Sequence, residues 1–231
     1  MDVARELAAA GGPEGLVVRA EEQTAGRGRH GRRWVAPPGT SLLFTVLLRP
    51  PVEVAEWLPM AAAVGVARAV ERLTGLKPAV KWPNDLVIGG RKFAGILVET
   101  EFFGGELAWA LLGIGLNVNW DPAEVPELAG QATSLARELG RLVDREALFR
   151  EVLRELDRAY RRLRAGWSPL LAWRRRLITV GREVEVVAGG EKLRGLAVGV
   201  DRSGRLQLRT DAGQTRLISF GEVFNLPRPG Q

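Results

Sequence analysis

The chain has 231 residues, no cysteine and a formal net charge of +6, with 33 lysines and arginines against 27 acids. That length suits one sizeable core plus a small second domain, and 46% apolar with 26% charged residues is ordinary globular usage. Lack of cysteine excludes disulfides, thiolate metal sites, a thiol nucleophile and a thioester carried on the chain itself, and no apolar run reaches the roughly 20 residues a membrane-spanning helix needs, so we expect a cytoplasmic protein.

In chain order, Val3 to Ala10 is helical in pattern and Gly11-Gly12-Pro13 ends it. Leu16 to Ala20 reads as a strand that leads into a glycine-arginine run, and Pro37-Pro38-Gly39 forbids a helix directly beyond. Ser41 to Leu48 is apolar on both faces, the mark of a central strand in a covered sheet. Glu53 to Leu73 predicts one helix, with Gly75 past its end, that covers a face of that sheet. Ala79 to Trp82 is a short strand stopped by Pro83; Leu86 to Ile88 and Lys92 to Glu99 form a hairpin about Gly89-Gly90. Leu107 to Asn119 completes a mostly antiparallel sheet, and Asp121 to Gln131 is a proline-broken surface loop. Two or three helices follow, the longest over about Asp144 to Arg164 and another over Pro169 to about Leu177. Beyond Thr179, the segments Glu183 to Ala188, Leu193 to Val200, Arg205 to Arg209 and Gln214 to Ser219 are short strands between glycine turns, a small barrel or sandwich. The domains expected are therefore 1–178 and 179–231.

The basic excess does not by itself name a partner. Only four of the basic residues are lysines (Lys77, Lys81, Lys92, Lys192), and arginines scatter along helical segments, as at Arg154, Arg158, Arg161 and Arg162. This favours a solvated basic surface over a nucleic-acid groove.

Three stretches carry chemistry. Gly26 to Trp34, GRGRHGRRW, sets Arg27, Arg29, Arg32 and Arg33 among glycines that disfavour helix and strand alike. Such a loop orders best around a polyanion. Its glycines match G-x-G-x-x-G literally, but Arg-Arg-Trp-Val-Ala-Pro-Pro follows where a dinucleotide fingerprint needs a helix, so that reading fails. The single histidine, His30, has no carboxylate near it in sequence and reads as an exposed loop residue. The second stretch is Lys81-Trp82-Pro83-Asn84-Asp85 with Lys92 starting the returning strand, so two of four lysines bracket one hairpin. The third is Gly113 to Asn119, GIGLNVN, where glycines interrupt an apolar strand; either a ligand approaches closely there or the strand bulges. No metal-ligand motif is present.

Together these stretches resemble the biotin protein ligases, whose signatures are a GRGRxGRxW loop, a KWPND strand end, a lysine in a KxAGILVE-type strand and a GIGxNVN strand. Gly26–Trp34, Lys81–Asp85, Lys92–Glu99 and Gly113–Asn119 supply all four in order. Lipoate protein ligases share the catalytic fold and are the nearest relatives to exclude; an arginine-rich nucleic-acid-binding module is the alternative of another class.

The resemblance implies an α+β fold: a mixed, mostly antiparallel sheet covered by helices, like class II aminoacyl-tRNA synthetases, with an SH3-like all-β C-terminal domain. It implies that biotin and ATP give biotinyl-5′-adenylate, with Mg²⁺ on the phosphates, and that a lysine of a biotin carboxyl carrier domain then displaces AMP. Lys92 would bridge the biotin carboxylate and the α-phosphate, while Asp85 would orient or deprotonate the acceptor lysine. Arg27 and Arg29 would close over biotin and the adenylate, and Arg32 would face the nucleotide phosphates. Gln23 and Gly26 would meet biotin near its carboxylate, with Gly95 and Gly115 beneath it. Trp34 and Asn117 would lie at the nucleotide. A homodimer is expected, with no DNA or membrane partner, as in the single-function form of the family. Two departures stand out. The family's Ser-Thr-Asn segment, which holds biotin's ureido ring, would end where this chain has Met1-Asp2-Val3, and its C-terminal GEVSLR appears as Gly221-Glu222-Val223-Phe224-Asn225-Leu226, so that the last arginine is missing unless Arg228 takes its place.

Overall fold

The computed structural model describes residues 1–28, 31 and 33–226. The chain runs α1 (Asp2–Ala9), β1 (Val17–Ala20), β2 (Ser41–Leu48), α2 (Val52–Ala55), α3 (Leu58–Thr74), β3 (Ala79–Lys81), β4 (Asp85–Ile88), β5 (Arg91–Phe103) and β6 (Glu106–Asn117). Then follow α4 (Leu135–Leu139), α5 (Arg145–Arg164), α6 (Leu170–Arg174), β7 (Glu183–Ala188), β8 (Glu191–Val200), β9 (Leu206–Thr210), β10 (Thr215–Ile218) and β11 (Glu222–Asn225). One sheet has six strands in the order β1-β2-β6-β5-β4-β3 and the other five in the order β10-β9-β8-β7-β11. Every ladder in both is antiparallel. This is the α+β architecture expected. Among the described residues no helix is long and apolar enough to cross a membrane.

The six-stranded sheet has two unlike faces because side chains alternate along each strand. Leu42, Phe44, Val46 and Leu48 of β2 and Leu112, Ile114 and Leu116 of β6 join the large core under α3 and α5. On the opposite face Leu47, Trp109 and Leu111 pack against Ala4 and Ala8 of α1, which covers only part of it.

Local chemistry sets the helix limits. Asp144 caps α5 by accepting from the Glu146 and Ala147 amides, and Arg161, Arg162 and Arg164 sit in its last turn, where the helix dipole favours cations. α3 ends at Gly75 with φ 75°, a left-handed cap that glycine adopts without penalty.

The sequence expectation of one helix over Glu53 to Leu73 is corrected. The chain breaks at Glu56-Trp57 into a single turn and a long helix, because Pro59 lacks an amide proton and so belongs in the first turn of α3. The helix expected to reach Leu177 stops at Arg174, since the backbone beyond it pairs with β3: Val80 N–H donates to Arg176 O (2.8 Å) and Ile178 N–H to Val80 O (2.9 Å). β5 runs on to Phe103, four residues past the expected end at Glu99, because β6 keeps pairing with it.

Candidate functional site

The exposed part of the second face is floored by small residues. Gly95 of β5 lies opposite Gly115 of β6, and Ser41 of β2 lies opposite Asn117. The β2–β6 register is continuous through Gly113 and Gly115, so neither glycine marks a bulge. Close approach explains them instead. A Cβ at Gly115 would stand 2.7 Å from Trp34 Cε2, one at Gly95 3.2 Å from Trp34 Cζ3, and one at Gly113 2.8 Å from Met1 Sδ. The indole of Trp34 thus lies flat against a floor that only glycine can provide.

Beside this floor Lys92 Nζ lies 2.7 Å from Asp85 Oδ1. Both side chains are partly exposed. Asp85 starts β4 and pairs across with Gly95, while Lys92 enters the returning strand after a register shift at Leu86/Val87, and the two therefore face each other. Residues 131–133 brace Lys92 from outside: its amide donates to Gln131 O (2.9 Å) and its carbonyl accepts from the Thr133 amide (2.8 Å). The ammonium also lies 5.6 Å from the Trp34 ring centroid, within cation–π range.

The glycine-arginine loop is closed at its base. Trp34 N–H donates to Gly26 O (3.0 Å), and Arg27 bridges to Arg33 in antiparallel fashion. Gly26 is buried, and a Cβ there would lie 2.5 Å from Trp34 O and 3.0 Å from Gln23 Oε1, so Gln23 sits directly against it. Arg27 forms an ion pair with Asp2, which Arg5 also holds; Arg5 in turn reaches Glu99. These two guanidinium groups keep the Asp2 carboxyl below the usual carboxylate range, Arg5 first. Arg29, His30 and Arg32 lie outside the described residues, as does Arg228.

Three buried polar atoms on or against this face have no hydrogen-bond partner among the described residues: Trp34 Nε1, Asn117 Oδ1 and Ser41 Oγ. Asn117 is anchored through its other side-chain atom, Nδ2, which donates to Thr133 O (3.1 Å). Buried polar atoms are nearly always paired, so this set is open to a polar partner from outside the described residues. Among the described residues no group of three or more His, Asp or Glu side chains is placed to hold a metal ion.

Of the residues singled out in the sequence, Gln23, Gly26, Trp34, Asp85, Lys92, Gly95, Gly115 and Asn117 gather on this face or its rim, with Arg27 at the loop base. Sequence reasoning missed Asp2, the acid that holds Arg27 from 25 positions away, and Ser41, whose strand looked uniformly apolar in role. It also missed the bracing of Lys92 by residues 131–133. None of these has a local signal; each depends on which strands become neighbours.

Comparison with known proteins places the chain among relatives over nearly its whole length. Residues 5–117 match the Biotin/lipoate A/B protein ligase family, and residues 179–225 match the biotin protein ligase C-terminal domain. The chain is 39% identical over 222 residues to a biotin–[acetyl-CoA-carboxylase] ligase of Mycobacterium tuberculosis, covering 92% of this chain and 80% of that one. It is 35% identical over 221 residues to the bifunctional ligase/repressor BirA of Bacillus subtilis, covering 94% and 68%. A biotin protein ligase from Aquifex aeolicus, solved in complex with biotin and ATP, superposes with a TM-score of 0.79 at 28% identity, over 96% of this chain and 93% of that one. With the glycine floor, the Lys92–Asp85 pair and both matched segments in one chain, the protein belongs to the biotin protein ligase family.

Proposed function

We propose that this chain activates biotin with ATP and transfers it to a lysine of a biotin carboxyl carrier domain in the cytoplasm. The observation that carries the reading is the Lys92 ammonium, held 2.7 Å from Asp85 at the edge of a glycine floor. An ammonium has three N–H donors. Asp85 takes one and so aims the other two over the floor, where one meets the biotin carboxylate and one an α-phosphate oxygen.

In the first step a biotin carboxylate oxygen attacks the α-phosphorus of ATP; the bond to the bridging oxygen breaks and pyrophosphate leaves. The reactants are both anions, so the protein's contribution is positioning and charge compensation. Lys92 offsets the repulsion as a compact point charge, and Arg27, Arg29 and Arg32 add positive charge from the loop. Gln23 and Gly26 border the carboxylate end of biotin, which lies beside the Trp34 indole seated on Gly95 and Gly115. Trp34 and Asn117 meet the nucleotide, where their unpaired Nε1 and Oδ1 find partners. In the second step the carrier lysine's amine attacks the acyl carbon and AMP leaves with the bonding electrons. The amine sheds its proton, for which Asp85 is the carboxylate at hand.

Among the described residues no acids cluster to hold a metal ion, so Mg²⁺ would be held largely by the ATP phosphates and water. Residues 1–178 would carry the chemistry and 179–231 the small β domain, in a homodimer.

The test is incubation with biotin, ATP and a carrier domain. Biotin-dependent pyrophosphate release followed by biotin on the carrier lysine is expected. Preference for lipoate, or no release with either acid, would overturn the reading.

A further inference from the structure

The tryptophan of the KWPND stretch does not face the candidate site. Trp82 is 2% exposed, and its two N–H groups both leave the domain that contains it. Its backbone amide donates to Thr179 Oγ1 (2.9 Å), and its indole Nε1 donates to Gly204 O (2.9 Å) in a turn of the C-terminal sheet. These partners lie 97 and 122 positions away in sequence.

The first bond has a specific origin. Residues 176–178 lie parallel to β3, with Val80 bridged to Leu177. Continuing that ladder would offer the Trp82 amide a backbone carbonyl. Thr179 supplies a side-chain oxygen instead, which lets the main chain turn away into the C-terminal sheet while the buried amide stays paired. Thr179 is fully buried, so no water takes over if the hydroxyl is removed.

The second bond ends on a stiff acceptor. Asp201 Oδ1 accepts from the Ser203 (3.0 Å) and Arg205 (2.9 Å) amides, and the Asp201 carbonyl accepts from the Gly204 amide (3.2 Å). Gly204 has φ +78°, and a Cβ there would stand 2.5 Å from Met60 Cε of α3. The turn is thus seated on the first domain and presents its carbonyl at a fixed place.

Three residues after Trp82 comes Asp85, the carboxylate that aims Lys92. β3 is only three residues long, so the ladder alone holds this strand end weakly. We propose that Thr179 and the Gly204 turn are positioning elements for the reaction: they fix Trp82, hence Asp85, hence the direction of the Lys92 ammonium. This rests on the ligase reading above and extends the machinery into the C-terminal sheet.

The experiment measures biotin-dependent pyrophosphate release and carrier biotinylation for the full chain, Thr179→Val, Thr179→Ser and Trp82→Phe. Thermal unfolding is recorded for each, and rates are taken where every variant is folded. Thr179→Val and Trp82→Phe should lose about tenfold or more in kcat while KM for biotin and for ATP stays within about twofold. Thr179→Ser, which keeps the acceptor, should return kcat to within about twofold of wild type. Lowered unfolding temperature with unchanged kcat, or a serine variant no better than valine, would overturn the proposal. An inactive wild-type chain would overturn the ligase reading and this inference with it; an active wild type with indifferent variants would overturn the inference alone.

Discussion

The two faces of the six-stranded sheet are made from the same strands yet follow opposite rules. Toward α3 and α5, alternate positions of β2 and β6 carry Leu42, Phe44, Val46, Leu48, Leu112, Ile114 and Leu116, which bury apolar area and fix the fold. One residue along in each strand lie Ser41, Gly113, Gly115 and Asn117, which bury little and leave polar atoms unpaired. The first face carries the large core, while the second is shared between the smaller core under α1, with Leu47, Trp109 and Leu111, and the candidate site. The strand period of two lets one stretch of sequence serve both without compromise.

Substitutions on either face test that division. The largest effect expected is at Lys92. Lys92→Ala should lower biotin-dependent pyrophosphate release by about a thousandfold or more, because two anions then meet without a counter-charge. Its side chain is 37% exposed, so the unfolding temperature should barely move. Activity within about tenfold of wild type would show that the face does not work as described.

On the other face, Leu112→Ala should cost about 3 kcal/mol in denaturant unfolding, the usual range for a buried leucine. Its kcat per folded molecule should stay near wild type. A large loss of kcat at full folding would mean that the faces are coupled.

Smaller, and opposite in kind, is Gly115→Ala. The added methyl would lie 2.7 Å from the Trp34 ring and push it off the floor. About a tenfold loss in kcat/KM for biotin or ATP is expected with little change in stability, since no φ strain is involved.

The smallest effect concerns the helix face alone and depends on pH. Arg176 holds Glu71 in a paired contact (2.6 and 2.8 Å), and this hydrogen bonding lowers the Glu71 carboxyl below its ordinary value despite partial burial. A lowered folded-state pKa gives stability that is present above the unfolded value, roughly pH 4.3, and is lost as pH falls through the folded value. Glu71→Gln should therefore cost about 1 kcal/mol near neutral pH, and the gap from wild type should close in acid. A gap that persists well below pH 4 would contradict the pairing.

Much of this layout can be read in the sequence because it depends on local pattern. β2 spans Ser41 to Leu48 and β7 spans Glu183 to Ala188, as their uninterrupted apolar or alternating runs require. The glycine-arginine loop, KWPND, Lys92 and the GIGLNVN strand mark the candidate site through residue types that regular structure avoids. Pro59 splits a helix whose apolar spacing ran straight through it, since periodicity is blind to a missing amide. The partner of Arg27, the atoms that meet Gly113 and Gly115, and the acceptors of Trp82 all come from distant segments, which no local window contains.

The strand-like course of residues 176–178 along β3 bears on how the molecule can be taken apart. The matched segments 5–117 and 179–225 suggest two modules that could be expressed separately. Yet Trp173 and Met60 share one buried cluster with Val184, Leu206 and Leu208, and the connecting chain is itself hydrogen-bonded into the first sheet. A fragment ending at residue 178 would keep Trp82 but lose both of its acceptors, and would bare the apolar surface around Met60. Heating should accordingly melt both sheets in a single transition, and proteases should find no cut between them that leaves a folded half.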